Sequence, residues 1–161
     1  METTLQEIYC NYLKEEGFPA TKIVEERDVF FKAEGQVYYF RTNADYPERF
    51  ALVLPSFWEI ESEAEAYRAL AVCNEVHLRV HDVTLFCVHN AVSATVELFL
   101  ADPAEDINSV FYPALKALQR AVYWFVTLMY KAELPDSPSG GGVVSVPAHT
   151  SNGVENTGVY L

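Results

Sequence analysis

The chain has 161 residues, half of them hydrophobic and 14% aromatic, with a formal charge of −12 from 23 acidic and 11 basic side chains. That length suits one ordinary domain able to bury its own core, and that composition excludes a disordered chain. Phosphate neutralisation needs clustered Lys and Arg, so the charge balance argues against direct binding of nucleic acid or an anionic membrane and favours a basic or apolar protein partner.

The opening stretch "METTLQEIYCNY" lacks the basic and apolar regions of a secretory signal, and no apolar run approaches the ~20 residues of a spanning helix. Cys10, Cys73 and Cys87 lack paired spacing and read as reduced thiols, so the expected location is the cytoplasm.

The first helix is marked by Leu5, Ile8, Tyr9, Tyr12 and Leu13, which fall on one helical stripe. Thr4 and Glu7 have capping-box spacing, Gly17 sits at the C-terminal cap, and Pro19 prevents continuation. The runs "TKIVEE", "DVFFKAEG" and "QVYYFRT" follow, separated by turn signals at Arg27-Asp28 and Glu34-Gly35, and predict a meander of hairpins. "RFALVLP" predicts a further strand that halts at Pro55, leaving Phe57 and Trp58 in a connection. Within it Phe50, Leu52 and Leu54 oppose Ala51 and Val53, and neither face is cleanly polar, so a cover over part of the second face is expected.

Ser62 and Glu65 predict a second helix start, with Ala66, Leu70, Cys73, Asn74 and His77 as its inward stripe. Two strands, "VTLFCVH" and "VSATVELFL", turn at Asn90-Ala91. Asp102-Pro103, followed by Glu105 and Asp106, opens the last helix with carboxylates at its positive end. Phe111, Ala114, Leu115, Leu118, Val122, Phe125 and Met129 form its core stripe. Past Ala121 the apolar surface widens: Trp124 and Val126 extend its borders, and Tyr123 and Tyr130 lie almost opposite the core. A helix apolar around most of its girth is expected to be covered on more than one side, here by another chain. The sequence therefore divides into a domain at 1–134 and a Gly/Ser/Pro-rich tail at 135–161. The short anchors "VVSV" and "VYL" would let that tail dock on a sheet edge or on a partner subunit.

The stretch "LVLPSFWEIESEAEAYRALAVCNEVH", the paired strands ending "ATVELFLADPAED" and the helix "VFYPALKALQRAV" resemble the YbjN-like family of bacterial sensory transduction regulators, over about residues 3 to 132. The resemblance implies an α+β fold: a helix, an antiparallel meander, a second helix, two more antiparallel strands and a long closing helix. That family is similar to type III secretion chaperones, small acidic dimers that hold extended segments of client proteins. A chaperone-like role, in stress response or signalling, is therefore implied by the likeness alone.

The sharpest candidate for chemistry is "CNEVHLRVH", in which Cys73, His77 and His81 recur every four residues as a metal-binding sensor or enzyme could require. Against this, Cys73 and His77 share the expected buried stripe, and His81 falls past the helix end. A Cys73–His77 nucleophile lacks any oxyanion donor or substrate signal. Paired glutamates sit at helix ends and turns, and Gly140 to Gly142 lack the Lys of a phosphate loop. No catalytic residue, metal or cofactor is assigned. Lys116, Arg120 and Lys131 beside Tyr123 and Tyr130 make too thin a patch for a nucleic-acid-associated regulator, the remaining alternative. The candidate site is an interaction surface of Trp58, Tyr123, Trp124, Val126 and Tyr130, where Trp58 can serve either as a clamp on the second helix or as a contact. The expected function is a non-catalytic chaperone-like or adaptor protein that forms a homodimer and binds protein or peptide clients.

Overall fold

A computed structural model describes residues 4–23, 28–43 and 45–131. Its elements run α1 (Leu5–Glu15), β1 (Ala20–Ile23), β2 (Asp28–Ala33), β3 (Gln36–Arg41), β4 (Arg49–Glu59), α2 (Glu63–His77), β5 (Thr84–Val88), β6 (Ala91–Phe99) and α3 (Pro103–Lys131). The strands form one antiparallel sheet in the order β1-β2-β3-β4-β6-β5, so the fold is α+β as expected. The tail expected from 135 onward, with its two apolar anchors, lies outside the described residues, as does Arg27 of the first turn signal.

Local chemistry accounts for the boundaries. Thr4 Oγ1 accepts from the Glu7 amide and the Thr4 amide donates in return to the Glu7 carboxylate, completing the capping box. At the other end Gly17 adopts φ +88°, and the amides of Gly17 and Phe18 donate back to the carbonyls of Lys14 and Leu13. Those bonds satisfy carbonyls that the helix end would leave open. Glu34 and Gly35 both have positive φ, at 49° and 79°, which matches the right-handed twist of the β2–β3 hairpin. Asp102 caps α3: its carboxylate accepts from the amides of Ala104 and Glu105, and Pro103 follows at the first helical position.

The packing of the helices on β1 and β2, β4 and β6, and β5, and on one another, places all three on the same face of the sheet. That face supplies Val29, Phe31, Phe40, Leu52, Leu54, Val92, Ala94 and Val96 to a single core with Leu13, Phe111, Leu118 and Phe125. Strand alternation is as expected: Phe50, Leu52 and Leu54 point inward, while Ala51 and Val53 belong to the other face. The cover expected there is absent among the described residues. Ala51, Val53, Ser93 and Thr95 are buried on that face, beside the cross-strand pair Phe30 and Tyr39.

Two sequence expectations are corrected. β4 does not halt at Pro55. Its register with β6 passes from Leu54↔Ala94 to Trp58↔Val92, so a bulge absorbs Pro55 and Ser56 and pairing resumes. A bulge is where a strand tolerates proline, and Ser56, at φ +46°, donates its amide to Ser93 Oγ at 2.9 Å. Phe57 and Trp58 are therefore strand residues. The inward stripe of α2 is also rotated: Ala69, Val72, Cys73 and Val76 are buried, whereas Leu70 and Asn74 face solvent. Leu70 drew the expected stripe by its size, but small Ala69 and Cys73 with β-branched Val72 and Val76 form the flatter ridge that sits against the sheet.

One buried hydroxyl among the described residues lacks a partner. Tyr9 packs among Phe40 and Phe50, yet its hydroxyl finds no hydrogen bond. Removing an unsatisfied buried hydroxyl relieves a desolvation cost, so Tyr9→Phe is expected to raise stability by about 1 kcal/mol in urea denaturation. A loss of stability instead would show that the hydroxyl has a partner.

Candidate protein-binding surface

The C-terminal third of α3 crosses the end of the sheet where β4 finishes. Phe125 faces inward and meets Phe57 edge-on at 5.3 Å and Trp58 at 5.7 Å between ring centroids. Trp58 also contacts Tyr130 at 5.8 Å, and its indole N–H donates to the Glu65 carboxylate at 2.9 Å. Trp58 thus ties β4, α2 and α3 together, with part of its ring still accessible. Trp124 and Val126, on opposite borders of the stripe, are half-buried against the core, and the Arg79 guanidinium lies 4.9 Å from the centre of the Trp124 ring. Tyr123 and Tyr130 project outward, 65% and 59% exposed. The five residues singled out in the sequence therefore split: Trp58, Trp124 and Val126 are border residues of the core, and Tyr123 and Tyr130 are mostly exposed, each edge-on to one of the tryptophans.

Glu65 is the polar hinge of this corner. Its side chain accepts from the Glu61 amide at 2.8 Å as well as from Trp58, and Ser62 Oγ accepts from the Glu65 amide. The backbone bond first and the indole bond second hold the carboxyl below its ordinary value of 4.5. A depressed folded value means that this contribution is present above the unfolded value and is lost as pH falls through the folded one. In a Trp124→Phe background, Trp58 emission is expected to titrate with a midpoint below 4.5. Glu65→Gln should abolish that transition; its persistence would separate Trp58 from Glu65.

The sequence missed the neighbouring surface of α2. Turning Leu70 outward aligns it with Tyr67, Ala71, Asn74 and Leu78 along the exposed side of the helix. Leu70 is 54% exposed and Leu78 is 74% exposed. The signal was present as a second apolar period offset from the buried one.

The residues weighed for chemistry are dispersed. Cys73 is buried at the α2–β5 junction, and burial, reinforced by the neighbouring Cys87 thiol, pushes its pKa up to about 12. That is opposite to what a nucleophilic thiolate needs. His77 uses Nε2 to accept the Leu85 amide at 2.8 Å, pinning α2 to β5. His81 is exposed beyond the helix, and no group of three His, Cys, Asp or Glu among the described residues could hold a metal ion. Asn74, expected as a buried amide, is solvent-facing. Among the described residues no helix is long and apolar enough to cross a membrane.

Comparison with known proteins places this architecture. A chain in the crystal structure of the ExsC-ExsE complex superposes with a TM-score of 0.55, at 19% identity, covering 80% of this chain and 97% of that one. What the two chains share is the fold. It is the α+β fold that the sequence resemblance implied: a helix, an antiparallel meander, a second helix, two more strands and a long closing helix. No family model and no curated protein sequence matches the chain, so the YbjN-like resemblance stands on the sequence pattern alone.

Proposed function

We propose that this protein is a non-catalytic chaperone-like adaptor that self-associates and binds segments of other proteins. The observation that carries this reading is the exposed apolar surface of α2 and α3, built from Tyr67, Leu70, Leu78, Tyr123 and Tyr130 around a core that is already filled. The similarity in fold to a chain of the ExsC-ExsE complex supports it, since that chain is found with a protein partner. The surrounding charge of −12 keeps such a surface soluble and steers basic segments toward it. A cytoplasmic location, read from the three unpaired cysteines, and a place in stress response or signalling, drawn from the YbjN-like resemblance, complete the proposal.

The α2 stripe is the face we assign to self-association. Ala71 at its middle permits close approach of two helices, and Glu63 and Arg79 lie equally far from it along the chain. Antiparallel pairing of two copies about Ala71 would set acid against base at both ends, the self-complementarity that a two-fold interface requires. The aromatic end of α3 then stays available to clients. Sedimentation velocity of the full chain at micromolar concentration should give twice the 18.2 kDa monomer mass. Crosslinking mass spectrometry in the native host should place partner segments beside Tyr123 and Tyr130. A strict monomer without such crosslinks would overturn the reading.

A further inference from the structure

A different part of the sheet carries unused binding capacity. β6 pairs with β4 along its length to Phe99, but β5 begins at Thr84, opposite Thr95. The stretch Val96–Phe99 is therefore covered on one side only. Within it the direction of the backbone groups is fixed: the Leu100 amide donates to the Glu48 carbonyl, and strand residues alternate the side to which their N–H and C=O point. Leu98 and Val96 consequently bond toward β4, while the amides and carbonyls of Glu97 and Phe99 point to the open edge. No backbone bond from any described residue reaches them there.

This edge is flanked by a cleft on each face of the sheet. On the helix side, a cleft of about 210 Å³ is lined by Val96, Leu98, Val110, Pro113 and Ala117. Pro113 has no N–H to return to the Ser109 carbonyl, so the helix wall of this cleft carries a carbonyl without its usual helical donor. On the outer side, a cleft of about 530 Å³ is lined by Asp82, Thr84, Phe86, Thr95 and Glu97. Arg49 already pairs with the Glu97 carboxylate, yet Asp82 borders both clefts.

We propose that the free edge of β6 accepts an extended segment of a partner protein as an added antiparallel strand, with compact apolar side chains facing α3 and basic ones facing Asp82 and Glu97. Alternation of an added strand's side chains matches the alternation of the two clefts, and the backbone of Glu97 and Phe99 supplies the ladder. Such a strand continues the pairing that β5 leaves unfinished. Acidic Asp82 and the charge of −12 select a basic segment over an acidic one. The proposal rests on the protein-binding reading but uses a site separate from the α2 and α3 surface.

The probe is a fluorescein-labelled hexapeptide alternating lysine and valine, bound to the full chain at physiological salt and read by anisotropy. Residues opposite Glu97 and Phe99 present both their side chains and their N–H groups in register with them, so the lysine amides face β6 and the valine amides face solvent. N-methylation of the lysines should weaken binding at least tenfold, and N-methylation of the valines should leave it within about twofold. Equal effects, or no saturable binding, would overturn the proposal. Phe99→Pro removes an open-edge N–H that β4 does not use, and should also weaken binding at least tenfold with the thermal transition retained. Should Val144→Asp in the tail raise peptide affinity tenfold, residues 143–146 of the same chain are the occupant and an external partner is ruled out. Loss of self-association in Phe99→Pro would likewise assign the edge to a second copy. Crosslinked partners retained at Tyr123 and Tyr130 while the peptide fails would remove this site and leave the function standing.

Discussion

Phe111→Ala is expected to cost about 3–5 kcal/mol. The ring sits on the inward face of α3 with no exposed surface. Its centroid lies 5.0 to 5.7 Å from those of Tyr12, Phe18, Phe31, Phe40 and Tyr112. Those neighbours come from α1, the following turn, β2, β3 and α3 itself, so one truncation opens a void where most of the N-terminal half meets the closing helix. They cannot all move inward, because Phe31 is stacked between Tyr38 and Phe40 in the sheet. A domain of this size is stable by about 5–15 kcal/mol, so urea denaturation should show a large fraction of the total lost. The melting temperature should fall by about 10–20 °C. A loss under about 1 kcal/mol would mean that the centre of the core lies elsewhere.

Phe111 also marks how much of the structure the sequence displays. Where one period dominates, the elements were legible: Tyr9, Tyr12 and Leu13 on α1, and Phe111, Leu115, Leu118 and Phe125 on α3, are buried as their spacing requires. The caps at Thr4, Ser62 and Asp102 were legible because their side chains act within a few residues of themselves. Long-range choices were not. Pro55 reads locally as a stop, and only the presence of β6 alongside, with Ser93 ready to take the Ser56 amide, lets the strand resume. In α2 two apolar periods compete, and the sheet selects the one with the smaller residues.

The candidate surface was half legible for the same reason. The exposure of Tyr123 and Tyr130 follows from their angular position opposite a filled stripe. The roles of Trp58 and Trp124 depend on partners distant in sequence: Phe125 for the first and Arg79 for the second. Trp124→Glu would strip a half-buried ring from the core border and replace it with a charge, so its effect falls on folding as well as on any interface.

A cleaner separation of folding from association is expected for the double variant Leu70→Lys, Leu78→Lys. Both side chains are mostly exposed and outside the core, so their loss costs the monomer little, within about 0.5 kcal/mol for each site. Lysine is also a good helix former, and at the C-terminal cap of α2 its charge suits the helix dipole. In a two-fold pairing of α2 each substitution acts twice: Leu70→Lys brings like charges together near the axis, and Leu78→Lys removes apolar contact at both ends. Central interface side chains are commonly worth 2 kcal/mol or more each, so the dissociation constant should rise by about 100-fold or more. Sedimentation velocity should show monomer at concentrations where the unaltered chain is dimeric, while the thermal transition stays within a few degrees. The paired readout matters because the two errors look different. A dimer that survives with its transition intact would move self-association off α2, and a collapsed transition would show that Leu70 and Leu78 support the fold after all.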